Sequence, residues 1–131
     1  MLERIENLEE NIATLKLLKN KFDIEDIKAN RLDEWSLRYG LFESIQIVID
    51  ISCHISSRYN LGISKTYTQC IENLQKHNYL DEKISKNLIS SIGLRNLLIH
   101  EYIKIDVKQL YDFLDLIDDF SLFIKKIKDV L

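Results

Sequence analysis

Ten consecutive residues, Gly93-Leu94-Arg95-Asn96-Leu97-Leu98-Ile99-His100-Glu101-Tyr102, combine the features that decide the fold of this chain. Their apolar members recur at spacings of three and four, which predicts a helix buried along one side. At about 100° per residue, Arg95, Asn96, His100 and Tyr102 share one arc of roughly 160°, and the leucines lie opposite. The stretch therefore predicts a two-sided helix, with a leucine face in the core and a polar face presented to something else.

Burying the polar face of this helix costs free energy unless its groups are paired or take part in function. Leaving a guanidinium, an amide or an imidazole unpaired in an apolar layer costs roughly 1 to 3 kcal/mol per group, so we expect these groups to be paired or functional. Gly93 lies on the same side as Asn96 and His100, where a missing side chain lets another backbone approach. We therefore expect a second helix to cross at Gly93.

The composition predicts a single all-α domain over residues 1–131. Of the 131 residues, 46% are hydrophobic, none is proline and three are glycine, so one core forms and helices meet few breakers. We predict an antiparallel bundle of four to five helices. The expected bounds are about 3–21, 23–59, 64–77, 82–101 and 107–130, with N-caps at Asp23, Ser64, Asp81 and Asp106 and a left-handed helix end at Gly62.

Two further patterns concern assembly and location. Between Leu41 and Ile55 the long helix is apolar on almost every side, which is typical of a central helix or of one that also contacts a second subunit in a homodimer; we favour the second interpretation for a domain this small. No apolar run approaches the roughly 20 residues of a membrane span and no signal-peptide pattern is present, so we expect a cytosolic protein without membrane contact. In that reducing compartment, Cys53 and Cys70 are expected to be separate core thiols, neither a disulfide nor a metal site.

Arg95 and His100, with four residues between them and Tyr102 two positions later, form a motif that resembles the signature of the HEPN superfamily, more closely its HepT-like branch of small bacterial and archaeal toxins. The resemblance covers nearly the whole chain. It includes the start of the long helix, the glycine connection, the entry into the motif helix and the residues after it: Arg31, Trp35, Arg38, Tyr39, Gly62, Asn78-Tyr79-Leu80-Asp81 and Ile105-Asp106.

The resemblance implies a metal-independent endoribonuclease that cleaves RNA, not DNA, in a cleft at a homodimer interface and leaves a cyclic phosphate, with no cofactor. His100 can transfer protons near neutral pH and Arg95 can clamp phosphate oxygens. Asn96 is positioned to contact either the imidazole or a bound phosphate. One chain offers a single histidine for two proton transfers, and Arg95 and His100 diverge by about 140°, so a two-fold dimer would supply what is missing.

The resemblance also implies a nucleotidyltransferase antitoxin that adenylylates Tyr102. By helix geometry, Tyr102 stacks two turns above Arg95 at the mouth of the same cleft, where an anionic AMP would neutralise Arg95 and block phosphate entry. Three alternatives remain open. Tyr102 can be a core tyrosine, the chain can be a non-catalytic subunit that binds a nucleotide or holds a nucleotidyltransferase, or it can be a purely structural helical dimer.

The net charge of −3 argues against indiscriminate nucleic-acid binding, because such binding neutralises many phosphates. We therefore expect any RNA site to be a local basic patch, supplied by Arg31, Arg38, Arg58, Lys65 and Arg95. The helically spaced aromatic residues Trp35, Tyr39 and Phe42 are interpreted as core or dimer packing rather than as platforms for base stacking.

Overall fold

The computed structural model describes residues 1–131 as an all-helical chain without strands. Seven α-helices form the fold: α1 (Leu2–Lys21), α2 (Ile24–Ala29), α3 (Arg31–Arg58), α4 (Tyr67–Lys76), α5 (Glu82–His100), α6 (Val107–Asp112) and α7 (Leu116–Ile127). Short 3₁₀ helices cover Tyr102–Lys104, Phe113–Asp115 and Lys128–Val130. This architecture confirms the predicted all-α bundle. None of the helices is both long enough and apolar enough to span a bilayer.

Helix α3 lies at the centre of the bundle and packs against α1, α2, α4, α5, α6 and α7. Apart from the half-buried Phe42 and Cys53, its apolar residues between Leu41 and Ile55 are buried by these helices of the same chain; Leu41, Ile45, Ile51 and Ile55 are all fully covered. The segment is therefore a central helix, and the favoured interpretation as a subunit contact was wrong for its buried residues. A helix that is apolar on all sides here is a core helix, because six neighbours surround it.

Apolar residues at helical spacing form one stripe on α1 and another from α6 to α7. Every member is buried: Ile5, Leu8, Ile12, Leu15 and Leu18 in α1, and Leu110, Leu114, Ile117, Phe120 and Ile124 toward the carboxyl end. The last segment is not one helix, however. The 3₁₀ turn Phe113–Asp115 tightens the chain between α6 and α7, so the stripe continues while the hydrogen-bond pattern changes.

Three predicted N-caps are confirmed, and a second helix break was missed. Asp23 and Asp26 form a reciprocal capping box at α2, and the Asp81 and Asp106 side chains accept backbone N–H groups of α5 and α6. The single helix expected over 23–59 is divided at Asn30. That residue is extended (φ −129°, ψ 110°), and its side chain accepts the Leu32 N–H, so it ends α2 and caps α3.

The connection between α3 and α4 differs from expectation at both ends. The left-handed residue after α3 is Asn60 (φ 51°), whereas Gly62 (φ 145°) is required further on because a Cβ there would lie 2.9 Å from Asn73 Oδ1. Thr66, rather than Ser64, caps α4 through a capping box with Gln69. The Ser64 hydroxyl instead joins the buried Asn73 amide and Ser56, so it is not available as a cap.

Cys53 in α3 and Cys70 in α4 form a disulfide, which corrects the expectation of two separate thiols. The packing of α4 against α3 brings their Cα atoms to 4.8 Å, within the range that a disulfide bridges. Neither residue spacing nor composition reveals such a contact between two helices. The bond ties the first turn of α4 to the last two turns of α3.

Candidate functional site

Helix α5 has the two faces that its sequence predicts. Leu94 is buried and Leu97 is half-buried against the core, whereas Asn96 and His100 are exposed and Arg95 is half-buried. The expected helix crossing at Gly93 is not found in this chain, because a Cβ built there meets nothing within 4 Å. Only a molecule outside the chain can make the close approach for which Gly93 leaves room.

The Arg95 guanidinium is fixed by three neighbours. Its Nε–H donates to Gln46 Oε1 at 3.0 Å, and its Nη1 donates to Asn96 Oδ1 at 3.1 Å. The ring of Tyr67, in the first turn of α4, lies 5.1 Å from the guanidinium carbon, a distance typical of a cation–π contact. Residues of three helices therefore meet at the Arg95 guanidinium, whose remaining N–H groups are free to bind a ligand.

Gln46 is itself held by a second layer of polar contacts on α3. Its Nε2 donates to Asp50 Oδ1 at 2.9 Å, one turn further along the helix. Asp50 in turn lies 3.6 Å from Arg4 Nε of α1, in a half-exposed ion pair. The result is a polar chain from Arg4 through Asp50 and Gln46 to Arg95.

The sequence reasoning missed Gln46, Asp50 and Tyr67. A signal for the first two was present, because they are polar residues one turn apart within the most apolar stretch of α3. Tyr67 had no such signal, since its contact with Arg95 depends on how α4 packs.

His100 is the last residue of α5 and is exposed, with no hydrogen bond from its ring to another residue. It lies five positions after Arg95, which corresponds to about 7.5 Å along the helix axis and about 140° around it. The two side chains therefore leave the helix in different directions. A ligand in contact with both side chains of one chain would have to reach around the end of the helix. Alternatively, a second copy of the site would bring an arginine and a histidine from different chains together.

Tyr102 does not lie above Arg95, which corrects the expected continuous helix. Helix α5 ends at His100, Glu101 turns away (φ −133°, ψ 35°), and Tyr102 begins a 3₁₀ turn that leads to the buried Ile105. The Tyr102 carbonyl accepts Arg38 Nη1 at 2.8 Å. Arg38 precedes Gln46 by eight positions, so Tyr102 is anchored about 12 Å along α3 from the Arg95 contact.

Tyr102 lines two adjoining clefts. The first, which we call the aromatic cleft, has a volume of about 330 Å³ and is formed by Trp35, Arg38, Tyr39, Phe42, Leu98, Ile99 and Tyr102. The second, the basic cleft, is about 520 Å³ and includes Lys28, Arg31 and Arg38. Trp35 and Tyr39 are 52% and 63% exposed, so they are not core residues, and the dimer-packing interpretation remains for them.

The expected basic patch is divided into separate regions. Arg31, stacked 4.9 Å above the Trp35 ring, and Arg38, paired with Glu34 at 3.0 Å, lie in the basic cleft. Arg58 lies at the opposite end of α3, about 40 Å from Arg31 along the axis. Lys65 borders a third cleft with Tyr67 and Asn96, close to Arg95.

A small titratable cluster flanks the aromatic cleft. Asn11 and Asn7 of α1 both donate to Glu43 Oε1 at 2.9 Å, and these amide hydrogen bonds lower the pKa of the Glu43 carboxyl. Hydrogen bonding to Glu43, followed by its negative charge, raises the pKa of the exposed Tyr39 hydroxyl. Glu43 therefore stays ionised and Tyr39 stays protonated over the neutral range.

The sequence matches one protein family along almost its whole length. Residues 2–127 match the family model for ribonuclease HepT-like proteins. The chain is 33% identical over 87 residues to a tRNA nuclease HepT of Aphanizomenon flos-aquae, an alignment that covers 66% of this chain and 59% of that relative. It is 31% identical over 94 residues to an mRNA nuclease HepT of Shewanella oneidensis, covering 71% of each.

A solved structure with the same fold is that of a tri-AMPylated HEPN toxin of Shewanella oneidensis in complex with an MNT antitoxin. It superposes with a TM-score of 0.87 at 24% sequence identity, covering 98% of this chain and 96% of that one.

Proposed function

Because the chain belongs to the ribonuclease HepT-like family, we propose that it is a metal-independent endoribonuclease toxin that cleaves RNA with Arg95, Asn96 and His100. The observation that carries this proposal is the Arg95 guanidinium, held by Gln46, Asn96 and Tyr67 with N–H groups still free beside an open surface. The relatives named as tRNA and mRNA nucleases support RNA as the substrate class.

The proposed chemistry is transesterification within RNA. An imidazole takes the proton of a ribose 2′-hydroxyl, the 2′-oxygen attacks the adjacent phosphorus, and the 5′-oxygen leaves with a proton from an imidazolium. The products are a 2′,3′-cyclic phosphate and a 5′-hydroxyl. Arg95 stabilises the extra negative charge of the phosphorane through its free N–H groups, which is worth most where those groups are already oriented.

We propose that a homodimer completes the site. One chain provides one exposed His100, whereas the reaction needs a base and an acid, and Arg95 and His100 diverge around α5. A two-fold axis passing near Gly93 would bring two α5 faces together and supply both histidines. The space at Gly93 and the exposed Trp35 and Tyr39 support this arrangement.

The proposed control point is Tyr102, adenylylated by a nucleotidyltransferase antitoxin. The AMPylated toxin and MNT antitoxin in the solved complex of the same fold support this partner class. Tyr102 is 57% exposed at the junction of the aromatic and basic clefts, where an enzyme can reach it. Since Tyr102 is anchored away from Arg95, an attached AMP would act by filling these clefts at the entrance, not by neutralising Arg95 directly.

The test is cleavage of total RNA by the purified protein in EDTA. We expect activity in the chelator, and a loss of roughly 10² to 10⁴-fold in His100→Ala and in Arg95→Ala with helicity intact. An exposed histidine elsewhere gives a matched control, and His77→Ala should keep full activity. Cleavage abolished by EDTA, or undiminished in His100→Ala, would exclude this mechanism.

A further inference from the structure

Gln46 occupies a position on α3 from which it controls the orientation of the Arg95 guanidinium. We propose that Gln46 is a positioning residue for Arg95, locked in its working amide orientation by Asp50; this inference rests on the proposed role of Arg95 in RNA cleavage. The evidence is two bonds made by one amide, 3.0 Å from its oxygen to Arg95 Nε and 2.9 Å from its nitrogen to Asp50 Oδ1.

Both neighbours of Gln46 require the same amide orientation. A guanidinium only donates hydrogen bonds, so Arg95 must face the amide oxygen. An ionised carboxylate only accepts them, so Asp50 must face the amide nitrogen. Turning the amide over would set donor against donor and acceptor against acceptor, and the Gln46 side chain therefore has one stable orientation.

This orientation determines which edge of Arg95 remains for a ligand. The guanidinium has five N–H donors in a fixed plane. Gln46 occupies the Nε donor and Asn96 occupies one donor of Nη1. Both Nη2 donors and the second Nη1 donor remain, so phosphate oxygens are expected to bind at the end of the fork rather than along its Nε side.

The Gln46 contact also limits rotation of the cation. The Tyr67 ring restricts the guanidinium plane from one side but leaves it free to turn within that plane. A directed bond to Nε removes this remaining freedom. Orientation that exists before the substrate binds lowers the barrier to the chemical step more than it increases substrate affinity, so the expected defect is in kcat.

The first test uses Gln46→Leu, which keeps the volume of the side chain and removes its acceptor. A hydrogen bond to a charged group is worth enough for a fall of roughly 10- to 100-fold in kcat for RNA cleavage, with KM changed by less than about threefold. The matched control is Gln75→Leu, a half-buried glutamine of α4 whose side chain makes no hydrogen bond to another residue. It should leave both constants unchanged.

The second test moves the carboxylate from position 50 to position 46 and the amide from position 46 to position 50. In the double variant Gln46→Glu with Asp50→Asn, the glutamate accepts from Arg95 and the asparagine donates to the glutamate, so both bonds and the total charge are retained. We expect its kcat to lie within about threefold of the wild-type value. Asp50 also loses its contact with Arg4, but a half-exposed ion pair of this kind contributes little.

A third measurement does not depend on ribonuclease activity. The Arg95 Nε–H resonance, assigned by its absence in Arg95→Lys, should exchange with water at least about tenfold faster in Gln46→Leu than in the wild type or in Gln75→Leu. If wild-type protein cleaves no RNA, the proposed function fails while this measurement still decides whether Gln46 holds Arg95. Equal exchange in wild type and Gln46→Leu, or full kcat in an active Gln46→Leu enzyme, would overturn the positioning role.

Discussion

The Tyr67 ring of α4 lies against the Arg95 guanidinium of α5, with 5.1 Å between the ring centroid and the guanidinium carbon. We expect Tyr67→Leu to lower RNA cleavage by roughly three- to 30-fold, since cation–π contacts are worth about 0.5 to 2 kcal/mol. Tyr67→Phe keeps the aromatic face and should stay close to the wild-type rate. A steady-state assay of both variants checks this. A Phe variant as impaired as the Leu variant would assign the effect to the hydroxyl instead.

Tyr102→Phe should separate activity from control. The ring still packs in the aromatic cleft and the phenol carries no proton in the proposed mechanism, so most of the ribonuclease activity should remain. Co-expression with a cognate nucleotidyltransferase should add AMP to the wild-type chain, as seen by intact mass, and suppress its toxicity, whereas the Phe variant should escape. Wild-type protein that is neutralised without any change in mass would mean that the antitoxin acts by occlusion alone.

Exposed aromatic side chains beside α5 provide a test of the homodimer. Trp35 is 52% exposed at the edge of the aromatic cleft, and a glutamate there would remove the apolar contact area of the ring and place a carboxylate in the interface if two chains met at this face. We expect sedimentation to report a dimer for the wild type at micromolar concentration and a monomer for Trp35→Glu. Leu17→Glu, which changes an exposed apolar side chain on α1, should leave the dimer intact. A monomeric wild type would contradict the dimer.

The Cys53–Cys70 disulfide should contribute measurably to stability. It closes a loop of 17 residues in sequence, for which loop-closure entropy predicts about 3 kcal/mol in the free energy of unfolding. Urea unfolding with and without dithiothreitol measures this contribution. A Cys53→Ala/Cys70→Ala variant is the control, because the reductant should not change its stability. An unchanged unfolding midpoint for reduced wild type would argue against the bond.

The pKa of Glu43 implies a stability that depends on pH. Hydrogen bonds from Asn11 and Asn7 hold its folded pKa below the unfolded value. The ionised form therefore stabilises the fold above the ordinary glutamate pKa of about 4.3, and this contribution is lost as pH falls through the lowered folded value. Glu43→Gln should unfold at lower temperature than wild type near neutral pH, and the difference should shrink in acid. A difference that is constant with pH would contradict this assignment.

The sequence predicted those parts of the fold that are coded locally. The stripe from Ile5 to Leu18 and the cap at Asp81 follow from residue spacing and side-chain chemistry within a few positions. The break at Asn30 lacks a proline or glycine signal, and only its dihedral angles reveal it. The α-helical faces of Arg95 and His100 were likewise predictable, because both lie inside α5.

The missing parts depend on contacts between distant residues. Arg95 and Gln46 are 49 positions apart, and Cys53 meets Cys70 only because α4 packs on α3. Tyr102 was misplaced for a different reason. A periodic pattern cannot show where a helix stops when no glycine or proline marks the end, so the angular position assigned to Tyr102 did not apply.

In the proposed mechanism, the end of α5 at His100 allows cleavage and control to change independently. Arg95 takes its orientation from the helix and from α3, whereas Tyr102 takes its position from the turn that follows and from Arg38. Changes in the length or composition of that turn can therefore move the tyrosine without rotating the arginine. Proteins that share this fold can therefore differ in the surface that an antitoxin recognises while they keep the same chemistry of RNA cleavage.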